Sequence, residues 1–184
     1  MKNKPVGAHN GVECIMYYVF LAVVIMLADQ WSKLAMVRML PVGGEAEFIP
    51  KIIGLTVVHN YGAAFSMLQN MRLLLLGLTA VVCAALFVYL LAGVRRSGLM
   101  SLSLAMILGG AWGNALDRII NGYVVDMFKP LFINFPVFNV ADCFVTVGGI
   151  ILCACLIFDK NLASDRAKTG GKQTEKCDAD NNGN

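Results

Sequence analysis

Residues 109–128 read GGAWGNALDRIINGYVVDMF. The stretch leaves a long apolar run and then sets Asn114, Asp117, Arg118 and Asp126 close together. Asn114, Asp117 and Arg118 fall at i, i+3 and i+4, so a helix carries all three on one face. They form either a mutually satisfied hydrogen-bond network or part of a binding surface. Gly109 and Gly113 make a small-xxx-small pair, which lets helices approach closely. Asp126 has no local excuse, because a carboxylate in the apolar run YVVDMF is costly unless it is paired or put to use.

The whole chain has the same character. Of its 184 residues, 58% are apolar and only 15% charged, and the mean hydropathy is +0.67. Soluble domains run at about 45–50% apolar and about 25% charged, so the composition is that of an all-α membrane protein. The net charge of +3 is small, and the basic residues form no aromatic-interleaved patch, which argues against a nucleic-acid partner. Six cysteines and two histidines (His9, His59) show no zinc spacing. No metal and no cofactor are expected, and the cysteines in apolar segments read as small buried fillers.

A helix needs about 20 mainly apolar residues to cross the hydrocarbon core. Four segments meet this, at about 14–35, 72–94, 97–117 and 138–158; Pro130 and Pro136 delay the last until near Phe138. The first resembles a secretory signal, but no small-residue cleavage site follows, so it reads as a retained span. Lys2, Lys4, Arg95, Arg96 and the tail lysines lie on one side of these spans. The positive-inside rule then makes both termini cytoplasmic. Residues 1–13 read as a cytoplasmic extension, 14–158 as the membrane domain, and 159–184 as a polar tail whose composition predicts disorder. Loop one, about 36–70, mixes β-branched residues and glycine in a pattern of short strands at the outer membrane surface.

With four spans, the polar clusters converge on that outer face. Asp29 and Lys33 pair at i, i+4, either as an interfacial pair that snorkels to water or as one wall of a site. Asn60 in HNYG suits a turn and can also anchor a substrate backbone. Asn139 reads as the N-cap of span four, with Asp142 in its first turn favoured by the helix dipole. Two neighbouring carboxylates cannot easily both ionise, so Asp126 and Asp142 suit an acid and a base that activate water. Ser32 and Ser66 lack an obvious base, and no cysteine is paired with a histidine.

The stretches DQWSK, VHNYGAAFSML, GGAWGNALDRIINGYVVDMF and FNVADCF, in this order, resemble the lipoprotein signal peptidases (signal peptidase II) of bacteria. The resemblance covers about 14–158. It implies a four-helix intramembrane aspartic endopeptidase in the inner membrane, with a small extracytoplasmic β-cradle formed by loop one. Such an enzyme removes the signal peptide of lipid-modified prolipoproteins just before the diacylglyceryl cysteine, amid membrane lipids and without a cofactor. By the same resemblance Asp126 and Asp142 are the catalytic pair, and Asp29, Lys33, Asn60, Gly110, Asn114, Arg118, Asn139 and Ala141 match other motif positions. Asn114 and Arg118 are expected near the substrate backbone, and Asp117 beneath the loop. Met127 departs from the phenylalanine common after the first catalytic aspartate. The competing class is a proton- or ion-coupled transporter, which also uses intramembrane carboxylates. The middles of the four spans, however, carry no charge.

Overall fold

The structure is a computed structural model that describes residues 9–62, 68, 71–92 and 98–158, with side chains from Glu13 onward. The N-terminal stretch 1–8, the Arg95–Arg96 pair, Ser66, the ends of the expected second and third spans at 93–94 and 97, and the tail 159–184 lie outside the described residues. Four helices are long and apolar enough to cross a membrane. They are α1 (His9–Met39), α2 (Arg72–Leu91), α3 (Gly98–Ile120) and α4 (Val140–Phe158). Their outward faces carry large exposed apolar side chains such as Phe20, Leu73, Ile150 and Phe158. That distribution suits a lipid surround, where apolar surface incurs no hydration penalty.

Helix α3 is the centre of the bundle and packs against the other three. Its glycines explain how. A Cβ at Gly109 would sit 2.6 Å from the Ala22 carbonyl of α1, and one at Gly113 would sit 2.5 Å from Asp29 Oδ2. Gly110 faces the other way, where a Cβ would meet the Ala141 carbonyl of α4 at 2.5 Å. Only a missing side chain lets these backbones approach so closely. On α1 the buried positions Ala22, Ile25, Asp29, Lys33 and Met36 recur at three- and four-residue intervals, the period of one helical face. The same face is thus apolar in the membrane and charged at its far end.

At that end lies a three-stranded antiparallel sheet in the order β1 (Glu45–Ile49), β2 (Ile53–Asn60), β3 (Val124–Pro130). Loop one supplies β1 and β2 as the resemblance implied. A third strand completes the sheet and comes from the connection between α3 and α4. Gly122, at φ +85°, turns the chain out of α3 into β3. In register, Val58 of β2 faces Asp126 and Asn60 faces Val124. The end of β3 is pinned in turn to the start of α4, because the N–H groups of Met127 and Phe128 both donate to the Phe138 carbonyl, at 3.0 and 2.8 Å. Beneath the sheet, Met127 is fully buried with Met36, Val57 and Val125, so the departure at this position is a packing choice. Of the cysteines, Cys83 is a buried filler, whereas Cys14, Cys143 and Cys153 are exposed on the bundle surface, contrary to the expectation of burial.

Candidate active site

The end of α1, the end of α3, strand β3 and the start of α4 meet in one polar cluster. Its base is ionic. Lys33 Nζ lies 2.7 Å from Asp29 Oδ2 and 2.9 Å from Asp117 Oδ2, with all three side chains almost fully buried. The alternative of a snorkelling interfacial pair is therefore excluded: Lys33 points inward to α3. Asp29 also accepts the Ala141 N–H at 2.9 Å, which ties α1 to the first turn of α4. This explains the fully buried Ala141 and the glycine at 110 against it. Asp117 accepts the Val125 N–H at 3.3 Å and so ties α3 to β3.

Above this base sit the two remaining carboxylates. Asp126 Oδ1 accepts from Asn139 Nδ2 at 2.6 Å and Oδ2 from Asn60 Nδ2 at 3.0 Å. Asp142 Oδ1 accepts from Asn114 Nδ2 at 2.8 Å and Oδ2 from the Asn139 N–H at 3.1 Å. Asn139 Oδ1 accepts the Asp142 N–H at 3.0 Å, so residues 139 and 142 cap α4 reciprocally. Asn139 therefore caps the helix and also holds both carboxylates. Asn60 both turns the chain, through the Gly62 N–H at 2.9 Å, and reaches Asp126.

Asn114 and Arg118, expected beside a substrate backbone, are engaged within the chain. The Asn114 amide joins Lys33, Asn139 and Asp142. Arg118 donates to the carbonyls of Gly62, at 2.8 Å, and Asn114, at 3.1 Å. It fixes the end of β2 to α3. Ser32 donates its hydroxyl to the Asp29 carbonyl at 2.7 Å and is no nucleophile in this arrangement.

The electrostatics are asymmetric. Asp126 is buried, whereas Asp142 is partly exposed. Burial pushes the Asp126 carboxyl from 3.8 up to about 6, with the nearby Asp142 acting the same way, against the hydrogen bonds of Asn60 and Asn139 and the charge of Lys33. Four carboxylates, at 29, 117, 126 and 142, face two cations, Lys33 and Arg118. A proton retained on Asp126 lessens that imbalance. Among the described residues no group of His, Cys, Asp and Glu could hold a metal ion.

Sequence reasoning missed two contributors. Gln30 donates to Asp29, Asp117 and the Gly113 carbonyl, closing the base of the cluster; an amide beside Asp29 in an otherwise apolar run was its signal. Arg72 donates to the Ile119 carbonyl at 2.7 Å and caps the end of α3. Its signal was a cation at the very start of a span, which composition alone could not aim.

Four membrane-grade helices enclosing a buried polar cluster at one end define a polytopic membrane enzyme, and comparisons agree. The fold is similar to a bacterial membrane enzyme structure obtained by the in meso method at 2.3 Å resolution, with a TM-score of 0.72, 28% identity, and coverage of 78% of this chain and 88% of that one. The family model for signal peptidase (SPase) II matches residues 21–158. The lipoprotein signal peptidase of Streptococcus agalactiae is 42% identical over 136 residues, 74% of this chain and 88% of that protein. That of Enterococcus faecalis is 38% identical over 151 residues, 82% and 93% of the two chains. The chain belongs to the signal peptidase II family and is a membrane peptidase.

Proposed function

We propose that the protein removes signal peptides from diacylglyceryl-modified prolipoproteins, cleaving before the lipidated cysteine, with Asp126 and Asp142 as an acid–base pair. The observation that carries this reading is the pair of carboxylates joined through Asn139, one buried and one partly exposed. Asp142 is the base: its Oδ2 faces the Asn139 N–H at the positive end of α4, and its Oδ1 the Asn114 amide of α3. Asp126 is the acid, since burial raises its pKa to about 6 and so keeps its proton well above the pH at which an exposed carboxyl loses it.

The chemistry then balances without a further reagent. Asp142 takes a proton from water, the water oxygen bonds to the scissile carbonyl carbon, and Asp126 gives its proton to the carbonyl oxygen. In the second step the protonated Asp142 gives that proton to the leaving nitrogen as the C–N bond breaks. Asp126 takes a proton back from a hydroxyl of the tetrahedral carbon, and both groups return to their starting states. Asn60 and Asn114 hold the pair by hydrogen bonds, Asn114 and Arg118 lie beside the substrate backbone, and Asp29, Lys33, Asp117, Gly110 and Ala141 hold the framework. By the placement of Lys and Arg, the site faces the outer side of the cytoplasmic membrane, with both termini inside.

The test is cleavage of a purified prolipoprotein, with and without its diacylglyceryl group, read by mass spectrometry of the new N-terminus. Cleavage of the lipidated form alone, at the modified cysteine, is the expected result. Equal cleavage of both forms, or a cut elsewhere, contradicts the substrate assignment. Proton or ion flux through reconstituted vesicles without peptide, dependent on Asp126, would instead support a transporter.

A further inference from the structure

Three asparagine amides surround the carboxylate pair, and each has its carbonyl oxygen facing a group that can only donate. Asn60 Oδ1 faces the Gly62 N–H, Asn139 Oδ1 the Asp142 N–H, and Asn114 Oδ1 the Lys33 ammonium at 3.0 Å. An ammonium has three donors and no acceptor. With the oxygen committed, each NH2 must turn the other way, and all three turn toward a carboxylate. Two of the three locks are backbone N–H groups within three residues of the asparagine. The third is shared: a buried lysine 81 residues away in sequence, itself held by Asp29 and Asp117, supplies the cationic donor, and Asn139 Nδ2 donates to the same oxygen at 3.1 Å.

We infer that Lys33 is a positioning residue for the reaction: its ammonium fixes the Asn114 amide with NH2 toward Asp142 and so holds Asp142 as an acceptor ready to take a proton from water. The ion cluster at the base of the site thereby sets the hydrogen-bond polarity at its mouth, through one amide. This rests on the acid–base reading of Asp126 and Asp142. Without the ammonium, the Asn114 oxygen keeps only the Asn139 Nδ2 donor at 3.1 Å, so its lock is weakened; a flipped amide, with its carbonyl oxygen toward Asp142, favours protonating the base. The charged and titratable groups facing Lys33 or Asp142 are Asp29 on α1, Asp117 and Arg118 on α3, Asp126 on β3 and Cys143 on α4. Of these, only Lys33 donates to the Asn114 oxygen from a cationic side chain.

The experiment is the pH profile of kcat for the full chain in detergent, with a diacylglyceryl-modified prolipoprotein. It compares wild type, Lys33→Met, Lys33→Arg, Asn114→Ala and the Lys33→Met/Asn114→Ala double variant. Lys33→Met is expected to move the profile to higher pH by about one unit and to lower kcat while KM stays within about twofold. Asn114→Ala moves it equally, and the double variant moves it no further. Lys33→Arg, which keeps a donor-only cation, leaves the profile in place. A folded Lys33→Met protein with the wild-type profile, or shifts that add in the double variant, would overturn the inference. Should Lys33→Met not fold, Asp29→Asn/Lys33→Met, which removes both charges and retains an acceptor for the Ala141 N–H, is read the same way. Asp126→Asn separates the two levels. If it retains turnover, the acid–base reading fails; if it is inactive and the Lys33 variants leave the profile unmoved, only the role of Lys33 falls.

Discussion

Asp142 and Asp126 reach the same site by different means. Asp142 sits in the first turn of α4, and the asparagine three residues before it completes a reciprocal cap, so the stretch from Asn139 to Asp142 defines one side of its setting. Asp126 lies on a strand whose partner β2 comes from the other side of α2 in sequence, and one of its donors, Asn60, is 66 residues away. One carboxylate is held on one oxygen by local helix chemistry and on the other by Asn114 of α3, and is partly exposed; the other carboxylate is held wholly by side chains from outside its strand and is buried. The difference teaches that the asymmetry between acid and base arises from folding: burial is a property of the assembled sheet, whereas a cap is a property of the helix end.

Asn139 is the one residue common to both settings, so its removal is the largest blow to the comparison. Asn139→Ala is expected to lower turnover by about a hundredfold or more and to cost about 1–2 kcal/mol of stability from the lost cap, measured by turnover and by thermal unfolding in detergent. Asn60→Ala touches only the Asp126 side. About a tenfold loss of turnover is expected, and, because the Asn60 hydrogen bond favours ionised Asp126, the alkaline limb of kcat/KM moves to higher pH. A loss as large as that of Asn139→Ala would mean that the two settings are not separable.

The buried side also has a signature in stability. The Asp126 pKa of about 6 in the folded protein lies above the 3.8 of the exposed group. Its contribution is therefore fully present below about 3.8 and is lost as pH rises through about 6. Asp126→Asn removes this titration, so its stability relative to wild type improves between pH 4 and pH 7 by on the order of 1–3 kcal/mol. A difference in Tm that stays constant over that interval would place the carboxyl in a more solvated setting than the fold gives it. The smallest effect is the control: Gly149 on α4 has no atom within 4 Å of an added Cβ, so Gly149→Ala should leave turnover unchanged and stabilise the helix by at most about 1 kcal/mol. Gly110→Ala, which drives a Cβ into the Ala141 carbonyl, should instead impair both.

These contrasts also mark what the sequence could reveal. The four helices were legible because 18-residue apolar windows have few alternatives. The shared face of Asn114, Asp117 and Arg118 and the cap at Asn139–Asp142 followed from helical spacing. The depth of Lys33 did not, because its second acid, Asp117, lies on a helix distant in sequence. Nor did the third strand: YVVDMF is short and apolar, and its pairing with β2 exists only once α3 and α4 have been packed through their glycines. The double duty of Asn139 was hidden for the same reason, since a cap is local and the bond to Asp126 is not.

The most direct test of the two-carboxylate account is single-turnover cleavage of a diacylglyceryl-modified prolipoprotein by Asp126→Asn and by Asp142→Asn, each shown to be folded by its thermal transition. Both variants are expected to lose cleavage by about a thousandfold or more, with substrate binding retained. Near-normal turnover in either one would contradict the acid–base pair.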